Sequence, residues 1–75
     1  PREKVLLIED VMDPSTTDNL SDLRVLKDEV IENVAEKILT QDKSVAVIDN
    51  NNKIVGSINP TKIINTVFGG RKNSN

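Results

Sequence analysis

The stretch Ser44-Val-Ala-Val-Ile-Asp49, Asn50-Asn-Asn-Lys53, Ile54-Val-Gly-Ser-Ile-Asn59, Pro60-Thr-Lys-Ile-Ile-Asn-Thr-Val-Phe68 decides the fold. Val45 to Ile48 is an unbroken apolar run rich in β-branched residues. Such a run fits a strand covered on both faces. Asp49 to Lys53 is a turn, because Asp and Asn tolerate the left-handed backbone that a tight reversal needs. Ile54 to Ile58 returns as a second strand. Gly56 inside it marks the close approach of another group, either a packed helix or a ligand. Asn59 and Pro60 then open a helix, as N-cap and first helical residue. Ile63, Ile64, Val67 and Phe68 form its apolar face, and Gly69-Gly70 ends it. The same turn faintly resembles a calcium loop, but Lys53 and Ile54 occupy positions that need an oxygen ligand and a glycine.

Upstream, Val30, Ile31, Val34, Ala35, Ile38 and Leu39 repeat at helical spacing. This predicts an amphipathic helix up to about Thr40, with Asp28 as N-cap and Glu29 and Glu32 in the first turn. Glu29, Glu32 and Glu36 share a face that reads as solvated. Leu23 to Lys27 alternates and predicts a short strand. Residues 13–22 read as turn and loop. Residues 3–12 predict a short helix through Val5, Ile8 and Met12, ended by Pro14. The expectation is an α/β (α+β) module of order β-α-β-β-α behind a short N-terminal helix. Its small three-stranded mixed sheet carries both longer helices on one face, through a right-handed crossover. The divisions are residues 1–22 as leader, 23–68 as the motif and 69–75 as a disordered tail.

The 75 residues suffice for one small domain with a thin stability margin. The chain begins at Pro1, which reads as a piece of something longer. With no Cys and no His, thiolate chemistry, disulfides and the commonest general base and metal ligand are all absent. No apolar run approaches the ~20 residues of a membrane span. A cytoplasmic setting is expected. No catalytic or metal-binding residue set is present, and enzymatic activity is not expected. Phe68 is the single aromatic, so the stacking platforms of a single-strand nucleic-acid binder are missing. Charge is split along the chain. Residues 1–42 hold eleven acids and five bases; residues 43–75 hold one acid and five bases. The latter bases, Lys43, Lys53, Lys62, Arg71 and Lys72, are candidate contacts to an anionic membrane or acidic protein surface.

The hairpin and helix together resemble a CBS domain, whose signature is an apolar strand ending in Asp, a polar turn, an apolar-Val-Gly strand and a helix. Asp10-Val11-Met12 is similar to the segment leading into such domains. The resemblance covers about residues 10–68. It implies pairing, either as a homodimer or with a neighbouring CBS motif. Many CBS domains hold adenine nucleotides through Gly-x-x-Thr/Ser-x-x-Asp. Here Gly56 matches, Asn59 stands at the hydroxyl position and Lys62 at the carboxylate position. Lys62 cannot accept a ribose hydroxyl proton but can meet a phosphate. Gly56, Asn59 and Lys62 are therefore the candidate ligand residues, with no cofactor expected and an adenine nucleotide as the alternative. A CBS motif with a short basic, Asn-rich tail is similar to the C-terminal region of ATP-binding subunits from glycine betaine/proline ABC transporters. That resemblance implies osmoregulation by ionic-strength or ligand sensing at the inner face of the cell membrane, next to transporter subunits. The alternative is an adenine-nucleotide-binding regulatory module of another enzyme, channel or transporter.

Overall fold

The computed structural model describes residues 5–68. Its elements are α1 (Ile8–Val11), β1 (Leu20–Leu26), α2 (Ile31–Leu39), β2 (Ser44–Ile48), β3 (Ile54–Ile58) and α3 (Pro60–Ile63). A wider π-helical segment, Ile64–Phe68, follows α3 directly. The sheet order is β1-β2-β3. β1 runs parallel to β2, with Val25 beside Val47, and β3 runs antiparallel to β2, with Val45 beside Ile58. The expected three-stranded mixed sheet is present.

Register explains where the core sits. Val25, Val45, Val47 and Ile58 share one sheet face. They form one cluster with Ile31, Val34, Ala35 and Ile38 of α2 and Ile63 of α3. Both helices therefore cover the same face, as the apolar stripes predict. Ala46 and Ser57 are cross-strand partners and stand on the opposite face. Both are buried, and the Ser57 hydroxyl donates to the Ser15 carbonyl at 3.0 Å. Part of the second face is thus covered by the leader.

The hairpin forms as the Asn-rich turn predicts. Asp49 Oδ1 accepts from the Asn51 and Lys53 amides at 2.8 and 2.9 Å. Asn52 takes a left-handed φ of 68°. The two bonds hold the Asp49 carboxyl below its ordinary value, the Lys53 amide contributing most.

Four expectations need correction. The N-terminal helix is only the four residues Ile8–Val11. Residues 6–8 spend their backbone groups elsewhere: Leu6 carbonyl accepts from the Ile31 amide, and the Ile8 amide donates to Glu29 carbonyl. Met12 is already extended, with ψ 160°, so Pro14 is not the terminator. Asp28 does not cap α2, because Lys27 and Asp28 are used in a turn closed by the Glu29 amide on Leu26 carbonyl. Val30 is the N-cap residue without a side-chain bond, and Glu29 precedes the helix. Leu6 supplies the acceptor that Asp28 was expected to provide. β1 begins at Leu20, three residues before the predicted start. Finally, Ile64 is 47% exposed. The change to a wider helical turn after Ile63 alters the angular spacing that the apolar-face reading assumed. The Gly69-Gly70 stop, the disordered tail, Arg71 and Lys72 lie outside the described residues.

Candidate functional site

The leader builds the site. Asp13 forms an antiparallel bridge with Ser57 on the outer edge of β3, its amide donating to Ser57 carbonyl at 2.8 Å and its carbonyl accepting from the Ser57 amide at 2.9 Å. Gly56 makes this approach feasible. A Cβ at that position would stand 2.5 Å from the Asp13 carbonyl oxygen and 2.9 Å from Met12 Sδ. The close neighbour that the glycine signalled is the chain's own leader, neither a helix nor a ligand.

Beyond the bridge, a groove of about 320 Å³ opens between the leader and the start of α3. That volume is at the low end for small-molecule sites. Val11, Met12 and Ile58 give it apolar wall, and Asp13, Asn59 and Lys62 give it polar rim. Two of the three predicted ligand residues are thus brought together, while Gly56 is closed off behind Met12 and Asp13. Asn59 is partly committed: its Oδ1 accepts from the Thr61 amide at 2.7 Å and caps α3. Its side-chain NH2 group remains a donor. Lys62 is exposed and contributes an ammonium group.

Asp13 is the groove residue that sequence reading missed. Its Oδ1 accepts from the Ser15 amide and the Ser15 hydroxyl at 3.1 and 2.9 Å. The Ser15 amide, then its hydroxyl, hold the Asp13 carboxyl below its ordinary value, with Lys62 adding a smaller pull against slight desolvation. An ionised carboxylate therefore faces the same groove as the Lys62 ammonium. The pair can accept from hydroxyl donors and donate to an anionic oxygen, over an apolar floor. Asp-Pro-Ser reads as a turn in sequence. Only the pairing with β3 places it opposite Lys62.

Among the described residues the predicted cations Lys43, Lys53 and Lys62 do not form one patch. Asn59 lies between Lys62 on this groove and Lys43 on an adjoining open, polar groove that also includes Thr17 and Gln41. Lys53 is at the hairpin tip, separated from Lys43 by the length of β2. Five strand residues span ~16 Å, about twice the physiological Debye length of ~8 Å. Lys43 and Lys62 can act together at one end of the sheet; Lys53 acts apart from them.

Among the described residues no cluster of three or more acidic side chains is arranged to hold a metal. No helix among them is long and apolar enough to cross a membrane. No family model matches the chain. No solved structure matches it either. Over 72 residues, 96% of its length, the chain is 67% identical to the trimethylamine N-oxide transport system ATP-binding protein TmoW of Pelagibacter ubique. It spans about a fifth (21%) of that relative's length, so what it is similar to is one segment of a transport-system ATP-binding protein.

Proposed function

We propose that this chain is a regulatory domain of an ABC transporter ATP-binding subunit serving a small methylated osmoprotectant such as glycine betaine. In this reading it pairs with a second motif of CBS type and modulates ATP hydrolysis performed elsewhere in the subunit, at the cytoplasmic face of the membrane. The observation that carries the reading is the 67% identity to a segment of the trimethylamine N-oxide transport ATP-binding protein. The β-α-β-β-α order supports it. No phosphate-binding loop occurs in the 75 residues, so the chain's own contribution is control rather than hydrolysis.

Control is electrostatic in this account. Lys43 and Lys62, exposed at one end of the sheet, rest on an anionic lipid or acidic protein surface, and rising salt screens the contact. The test is osmoprotectant-stimulated ATPase activity of the assembled transporter, measured across salt concentration for the parent and for K43Q/K62Q. The variant should activate at lower salt, with its maximal rate unchanged. Superimposable salt curves would overturn the electrostatic mechanism.

One observation favours a second reading, an adenine-nucleotide-responsive module. Asp13 supplies the groove with the carboxylate acceptor that Lys62 displaced from its usual position. Calorimetric titration with AMP, ATP and cyclic di-adenosine monophosphate decides it. Binding that weakens in D13N supports this reading, and absence of heat at millimolar ligand removes it.

A further inference from the structure

Another groove, apart from the one beside Asp13 and Lys62, opens where the leader, the start of α2 and the π-helical segment meet. Val5 and Leu6 of the leader, Val30 and Ile31 at the entry of α2, and Val67 give it apolar wall; Glu32 and Thr66 supply its polar side chains. The Ile31 amide donates to the Leu6 carbonyl at 3.0 Å, which fixes the leader against α2 on this side. Because β1 runs parallel to β2 and α2 begins soon after β1 ends, the groove lies at the end of the sheet opposite Lys43. Its volume is about 200 Å³. That is room for about seven waters at ~30 Å³ each, the size of a small solute rather than of a nucleotide. Val5 leaves 59% of its surface open to water beside it. Glu32 is exposed and is the one charged side chain among the described lining residues. Glu36, one turn further along α2, adds negative charge on the same side of the helix.

We propose that this groove binds the methylated ammonium group of a small organic solute, with Glu32 as its counter-charge. The carboxylate selects a cation over an anion. The apolar wall selects against a primary ammonium or a guanidinium, whose N–H donors would lose their water without gaining acceptors. A trimethylammonium group has no N–H. Its charge is spread over methyl groups, which suit the aliphatic wall of Val5, Val30 and Val67 while the charge stays close to Glu32. The Thr66 hydroxyl is a donor for the anionic end of a zwitterion such as glycine betaine. The physiological meaning, though not the site, rests on the osmoprotectant reading above. The imported solute would be sensed here, away from the salt-responsive end at Lys43 and Lys62.

The test is amide-resolved NMR titration of this chain, at constant ionic strength, with glycine betaine, choline and neohexanol, the carbon isostere of choline that lacks its charge. Glycine betaine and choline should shift the amides of Leu6, Ile31, Glu32 and Val67 saturably. Neohexanol should bind about fivefold more weakly than choline, the worth of one exposed charge contact. E32Q changes an exposed side chain, so folding should survive, and its own spectrum checks that it has. It should remove the preference for choline over neohexanol. Absence of saturable shifts at these residues overturns the proposal. So does equal binding of choline and neohexanol by the parent, or an E32Q chain that still prefers choline. The site is read without ATPase activity, so its failure is separate from failure of the transport reading.

Discussion

Gly56 is the residue on which the arrangement of the leader depends. Gly56→Ala would set a methyl 2.5 Å from a backbone carbonyl that is itself bonded to the Ser57 amide. Neither partner can move without breaking the bridge. The expected loss is about 1–3 kcal/mol, as for overpacking elsewhere, read by urea denaturation. Adding Met12→Ala should not rescue it, because the shorter contact is to backbone. Asn52 holds the left-handed turn position. Asn52→Ala should cost about 1 kcal/mol, whereas Asn52→Gly should be near neutral or better. The two carboxyls held below their ordinary value of 3.8, Asp13 and Asp49, predict a pH response. Each is more acidic in the folded chain than in the unfolded one. Their contribution is complete above the unfolded value and is lost as pH falls through the folded values. The urea midpoint should hold steady above roughly pH 5 and decline below it. In D13N/D49N that decline should be shallower.

At the scale of elements, how much was legible depended on how local the cause was. The hairpin could be read because its determinants, Asp49, Asn52 and the two apolar runs, adjoin one another. The α3 start could be read because Asn59 and Pro60 act on the next two residues. Asn59→Ala should therefore cost about 1 kcal/mol through the lost cap, measured by thermal denaturation. The start of α2 was misread because its acceptor, Leu6, comes from the leader and no local pattern announces it. The leader was misread for the same reason. Its spacing is helical, but its backbone is drawn off to Glu29, Ile31 and Ser57. Ile8, at 0% exposure, is as deep in the core as Ile38 or Ile63. Ile8→Ala should accordingly cost about 2–5 kcal/mol, the range of a full core truncation, where a loosely attached leader would tolerate it. Gly56 announced a close neighbour correctly, but sequence could not identify it. Asp13 gained its place opposite Lys62 only through the same long-range pairing.

For the whole molecule, the sequence leaves a cationic excess in residues 43–75, and among the described residues folding sets Lys43 and Lys62 at one end of the sheet and Lys53 at the other. Lys43 and Lys62 stay at one end, on either side of Asn59, where the proposed electrostatic contact would lie. The groove shared by Asp13, Asn59 and Lys62 sits beside it, so a surface contact and a small ligand would compete for or reinforce the same end of the domain. In the proposed function this domain controls ATP hydrolysis carried out elsewhere in the subunit. The most direct measurement is osmoprotectant-stimulated ATPase activity of the reconstituted transporter, with residues 5–68 present or excised, as internal salt is raised. The intact transporter should show a steep salt response, and excision should leave a high, salt-independent rate. A salt response that survives excision unchanged would contradict it.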